Sequence, residues 1–179
     1  ENNLYAVPFD PVALEETGGR ATIIEGVYNF YAVSDTGTLV YVPGNTGASG
    51  GAPLPQRTLV WVDREGNEEP LNAPPNIYNN IKISPDGTKV ALGIGAEGNR
   101  DIWIWDLVSE TMPKLTFDEA DDSYPLWTPD GKRIVFVSFR EAGYGGLYWK
   151  AADNTGAVEK LISLPDRVIG PASWSSDGK

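Results

Sequence analysis

The chain is 179 residues long, carries 14 basic against 25 acidic residues for a net charge of −11, and has no cysteine, no histidine and one methionine. Those absences exclude disulfides, thiolate–zinc and iron–sulfur sites, imidazole bases and His-ligated metals. The negative charge disfavours nucleic acid and anionic lipid, and no apolar run approaches the roughly 20 residues of a membrane helix, so neither nucleic-acid binding nor direct membrane insertion is expected.

Residues 1–4 lack the basic and apolar regions of a signal peptide, so any targeting segment is expected to lie elsewhere. Short β-branched and aromatic runs follow, punctuated by 20 glycines and 14 prolines, with almost no room for a helix. Leu4–Val7 and Ala21–Ile24 are the first two predicted strands. Phe30–Val33 and Leu39–Val42 flank the turn Ser34-Asp35-Thr36-Gly37, and Leu59–Asp63 and Glu69–Leu71 come next. The pattern then recurs. Ile81–Ile83 and Val90–Gly93 flank Ser84-Pro85-Asp86-Gly87, followed by Ile102–Asp106 and Pro113–Thr116. Pro125–Trp127 and Ile134–Val137 flank Thr128-Pro129-Asp130-Gly131, followed by Leu147–Lys150 and Glu159–Ile162. Ala172–Trp174 leads into a last turn, Ser175-Ser176-Asp177-Gly178.

The turn glycines 37, 87, 131 and 178 are separated by 50, 44 and 47 residues. Asp-Gly turns suit two-residue hairpins, because glycine accepts the positive φ that other residues resist. Four antiparallel strands every 40 to 50 residues is the signature of propeller blades. A single blade cannot bury both faces, so blades stack with apolar side chains between them. Val60, Trp103 and Tyr148 on third strands and Val33, Ile83, Trp127 and Trp174 on first strands are the predicted core. The fold expected is all-β: three whole blades (27–75, 76–118 and 119–166), a partial blade over 1–26 and the first strand of another over 167–179. The chain then reads as a portion of a larger propeller. Its open ends are expected either to self-associate or to bring residues 4–7 and 172–174 together in a defective fourth blade.

Ser84-Pro-Asp-Gly-Thr-Lys-Val-Ala, Asp101-Ile-Trp-Ile-Trp-Asp-Leu, Lys114-Leu-Thr and Trp127-Thr-Pro-Asp-Gly-Lys-Arg-Ile-Val-Phe resemble the WD40-like repeats of TolB-type β-propellers. These occur in bacterial envelope proteins, beside prolyl-oligopeptidase-like catalytic domains and as sensor segments of bacterial serine/threonine kinases. Leu4-Tyr-Ala-Val-Pro-Phe-Asp, Val40-Tyr-Val-Pro-Gly and Arg57-Thr-Leu-Val-Trp-Val-Asp-Arg-Glu-Gly are most similar to the kinase-associated branch. The resemblance implies a periplasmic or otherwise extracytoplasmic bacterial scaffold that binds a protein or peptide, with no cofactor and no catalysis. The alternative it implies is a substrate-gating propeller of a serine peptidase.

Several residues invite chemistry. Gly47-Ala-Ser49-Gly-Gly matches a nucleophile elbow, but no histidine can serve as its base, so a glycine-rich loop is expected. Asp118, Glu119, Asp121 and Asp122 could offer oxygen ligands to calcium, although a solvated acidic turn is the simpler expectation. Asp63 and Asp106 end matching strands as acceptors for turn amides. The connections entering the first strands carry Tyr28-Asn29, Tyr78-Asn79-Asn80 and Ser123-Tyr124, beside Asp121 and Asp122. These form a predicted partner-binding rim, since aromatic and amide side chains on loops are what an interaction surface uses.

Overall fold

The computed structural model describes residues 3–25, 27–33, 39–43, 56–63, 66–96, 98–141 and 144–175, and for residues 27–30 and 42–43 the backbone alone. All fifteen elements described are strands: β1 (Leu4–Ala6), β2 (Phe9–Asp10), β3 (Glu15–Glu16), β4 (Ala21–Ile24), β5 (Val27–Val33), β6 (Leu39–Pro43), β7 (Val60–Val62), β8 (Glu68–Pro70), β9 (Tyr78–Ile83), β10 (Lys89–Ile94), β11 (Asp101–Asp106), β12 (Asp122–Trp127), β13 (Arg133–Ser138), β14 (Gly146–Ala151) and β15 (Glu159–Ile162). They form antiparallel sheets in the orders β1-β4, β5-β6-β7-β8, β9-β10-β11 and β12-β13-β14-β15, with β2-β3 as a separate hairpin. The first strands β5, β9 and β12 lie side by side, so successive sheets meet along their inner edges.

The sheet β9-β10-β11 buries both faces, and its sequence shows why. On β10, Val90, Leu92 and Ile94 pack with Ala32, Val40, Tyr78 and Trp105 in one cluster, while Ala91 on the opposite face joins Ile102, Trp127, Phe136 and Tyr148 in the next. A strand apolar at consecutive positions is one covered on both sides. A third cluster places Leu4 and Ile24 of the two-stranded sheet on Tyr41, Val60 and Val62.

The predicted turns at 84–87 and 128–131 are present, but with four loop residues rather than two, and those at 34–37 and 175–178 lie outside the described residues wholly or in part. Ser84 closes on Lys89: its N–H donates to the Lys89 carbonyl at 2.8 Å, and the Lys89 N–H donates to Ser84 Oγ at 2.9 Å. Inside the loop, Asp86 Oδ1 accepts from Ser84 Oγ (2.6 Å), Thr88 N–H (3.0 Å) and Thr88 Oγ1 (2.9 Å). Thr128, Asp130 and Arg133 repeat the arrangement, with Thr128 Oγ1 donating to Asp130 at 2.6 Å. Gly87 and Gly131 take φ of 73° and 66°. The hydroxyl replaces a backbone carbonyl as hairpin acceptor, and the proline preceding the aspartate favours the wider turn.

These contacts hold Asp86 at about 2, chiefly through the Ser84 hydroxyl and then Thr88, and they lower Asp130 through Thr128. A folded value below the ordinary 3.8 means that the stabilisation is complete above pH 4 and is lost as pH falls through 4 towards 2. Thermal melts from pH 7 to pH 2 are expected to decline mainly in that window. The double variant Asp86→Asn, Asp130→Asn should melt lower at pH 7 and decline less steeply in acid; an unchanged acid slope would remove the turns as its cause.

Four expectations are corrected. Pro113–Thr116 is no ladder strand; isolated bridges at Lys114 and Thr111 hold that segment to β11. The neighbouring sheet holds it as well, Lys150 Nζ donating to the Leu115 carbonyl at 2.9 Å and Asn154 Nδ2 to the Lys114 carbonyl at 3.2 Å. Ala172–Trp174 forms no strand. No ladder joins it to β1, which pairs with β4, so the two ends do not form a shared blade. Of the predicted core, Val60, Trp127 and Tyr148 are buried, Trp103, Ile83 and Trp174 half-buried, and Val33 is 59% exposed.

Candidate functional site

The first strands share one irregularity. Between the pairs Asn79↔Gly93 and Lys82↔Ala91, residues Asn80 and Ile81 of β9 oppose Leu92 alone. Between Ser123↔Val137 and Leu126↔Val135, Tyr124 and Pro125 of β12 oppose Phe136 alone. Both are β-bulges at the same place in the repeat, and their leading residues are left-handed, φ 49° at Asn80 and 55° at Tyr124. Asparagine tolerates that region, whereas a bulky tyrosine enters it at a cost of roughly 1–2 kcal/mol. Bulges re-aim side chains and gather at functional edges. Pro125 has no N–H to leave unpaired, and Gly93 lets the Asn79 carbonyl approach to where a Cβ would sit 3.3 Å away. β5 has a register jump between Val27 and Tyr31, which contains Tyr28 and Asn29.

The rim residues separate accordingly. Tyr124 is 54% exposed and Asn80 half-buried, and neither side chain has a hydrogen bond among the described residues. Tyr78 is fully buried, its hydroxyl donating to the Pro74 carbonyl, and Asn79 donates to the carbonyls of Ile77 (3.2 Å) and Gly95 (3.3 Å). Both are tied into the scaffold. The side chains of Tyr28 and Asn29 lie outside the described residues, as do Ser49 and its glycine-rich loop.

The acidic connection is not simply a solvated turn. Asp121 accepts the N–H groups of Gly98 (3.0 Å) and Arg100 (2.7 Å) from the preceding sheet. Asp122 is fully buried, facing Arg140 Nη2 at 3.2 and 3.0 Å, and Asp118 lies 3.8 Å from Arg140 Nη1. Burial pushes Asp122 above the usual carboxylate range, although the Ser138 hydroxyl and the Arg140 guanidinium pull against it. No group of three carboxylates placed to hold a metal exists among the described residues. Asp122 stands where Tyr78 stands one repeat earlier, so one location is filled by an aromatic in one sheet and an ion pair in the next. Asp106 accepts Val108 and Ser109 N–H groups at 3.0 and 2.9 Å, and Asp63 binds the Asn67 backbone and side chain, the turn-closing role expected of both.

Residues 64–179, well over half of the chain, match the family described as the TolB beta propeller domain. The chain belongs to the TolB β-propeller family. It is 31% identical over 105 residues, 55% of its length, to the uncharacterized peptidase YuxL of Bacillus subtilis, and 29% identical over 80 residues, 45% of its length, to the Tol-Pal system protein TolB of Helicobacter pylori. It spans 16% and 19% of those relatives' lengths. The crystal structure of TolB from Acinetobacter baumannii superposes with a TM-score of 0.67 at 20% identity, covering 90% of this chain and 39% of that one, a likeness of fold alone.

Within this TolB propeller fold, sequence reasoning missed Arg100, Thr116, Ser138 and Arg140, the partners of the acidic connection. In the preceding repeat the counterparts of Ser138 and Arg140 are Ile94 and Ala96, so the repeat itself gave no signal. The available one was a guanidinium just beyond a strand that pairs with an acidic segment. Among the described residues no helix is long and apolar enough to cross a membrane.

Proposed function

We propose that this chain is a non-catalytic propeller segment that binds a protein or peptide partner at the mouth where the first strands begin, with Asn80 and Tyr124 as its contact residues. The observation that carries the reading is the repeated left-handed bulge, which holds an unpartnered amide and a half-exposed phenol ring at matching places on adjacent inner strands. Strain of that kind persists only where the surroundings impose it. A net charge of −11 favours partners with basic groups.

Panning a display library of random peptides is expected to enrich ligands that bind the wild-type chain. Replacing Asn80→Gly and Tyr124→Gly removes both side chains while keeping residues that accept positive φ, so stability should stay within about 1 kcal/mol. Affinity for the enriched peptides should fall about tenfold or more. Unchanged affinity would place the contact surface elsewhere. Gating of a peptidase is the second reading, favoured by the identity with YuxL.

A further inference from the structure

We propose that the cavity at the opposite end of the first strands binds a carboxylate carried on an apolar body. The cavity measures about 440 Å³ and is lined by Val33, Ile83 and Trp127, which share one position in successive repeats, and by Trp174, Lys82 and two turn prolines. Its volume lies in the range of small-ligand sites, which are apolar with a few polar groups that fix orientation.

The donors around it are already committed. Trp127 Nε1 donates to the Lys82 carbonyl at 2.9 Å and Trp174 Nε1 to the Trp127 carbonyl at 2.7 Å, so the indoles are anchored and offer apolar surface. The turn amides of Gly87 and Gly131 donate to the carbonyls of Ser84 and Thr128 at 2.9 and 2.8 Å. No amide cradle remains there for the several oxygens of a phosphate. Among the described residues, Lys82 is the one ionisable side chain in the lining. Its ammonium is exposed and makes no ion pair, hydrogen bond or ring contact among the described residues, in a chain where acidic groups predominate. One point charge in an otherwise neutral lining suits one monoanion. Two sources share this chemistry: the C-terminal residue of a polypeptide and a free apolar acid. The site lies apart from Asn80 and Tyr124 and stands independently of them.

The test follows the two indole N–H signals by NMR at low salt, titrating N-acetyl-phenylalanine, its amide, acetyl-Gly-Gly-Phe with a free carboxylate, and 3-phenylpropionate. The acids are expected to shift both indoles, and the amide to bind about tenfold more weakly. Lys82→Met should weaken the acids to the level of the amide and leave the melting temperature unchanged, and Asn80→Gly with Tyr124→Gly should bind the acids like wild type. Tighter binding of the tripeptide assigns a polypeptide terminus; tighter binding of 3-phenylpropionate assigns a small acid. Equal binding of acid and amide, acid binding indifferent to Lys82→Met, or no shift at millimolar acid overturns the proposal.

Discussion

Replacing Trp127 by alanine is expected to destabilise the chain by about 3–5 kcal/mol, a fall in melting temperature of roughly 6–20 °C. The residue is 4% exposed, sits in the cluster between the last two sheets, and links the inner strands through its bond to the Lys82 carbonyl. Truncation therefore opens a large cavity and leaves a carbonyl without its donor. Trp127→Phe keeps most of the apolar contact and loses the bond, so it should cost about half as much or less. Equal losses in the two variants would mean that packing contributes little; a loss below about 1 kcal/mol for alanine would show that the sheets do not rely on this joint.

Arg140→Met should cost about 3–5 kcal/mol at pH 7, because it strands the fully buried Asp122 carboxylate without its cation. The sign of the pH dependence is fixed by the direction in which Asp122 is shifted. Its folded value already lies above the ordinary 3.8 through burial, and losing the guanidinium raises it further. The variant's deficit relative to wild type should therefore be largest above that value and shrink as pH falls through it, when the carboxyl takes up a proton. Taking the difference at each pH removes the opposite acid trend of the turn aspartates. Pairing Arg140→Met with Asp122→Leu should recover most of the loss. A deficit that is constant with pH, or no recovery in the double variant, would show that the ion pair is not what the arginine supplies.

The strand repeat was legible because its turns depend on residue types that few other structures need at fixed intervals: a hydroxyl, a proline, an aspartate and a glycine. The bulges were not. Ile81-Lys82-Ile83 and Pro125-Leu126-Trp127 alternate cleanly only after the extra residue, so the strands looked three residues long when β9 and β12 each run to six. Grouping Tyr78 with Tyr124 followed from residue type, whereas the ladder aligns Tyr124 with Asn80 and Tyr78 with Asp122. That alignment separates the buried Tyr78 and Asp122 from the half-buried Asn80 and the exposed Tyr124. Val33, Ile83 and Trp127 do occupy one repeated position, opposite Leu39, Val90 and Ile134. Their different exposures follow from where that position lies: it borders an axial cavity as well as the gap between sheets, and periodicity cannot distinguish the two.

The indole bonds have a direction. Trp127 reaches back to the carbonyl of Lys82, and Trp174 reaches back to that of Trp127. The donor always belongs to the later repeat, and the acceptor is a main-chain group that any residue supplies. During synthesis on the ribosome, each of these two carbonyls has emerged before the indole that will seek it, so neither joint waits on a segment not yet made. The same polarity bears on gene duplication. A copied unit that brings its own tryptophan needs no particular neighbouring side chain for that bond, so the bond survives while the sequences of tandem repeats drift apart.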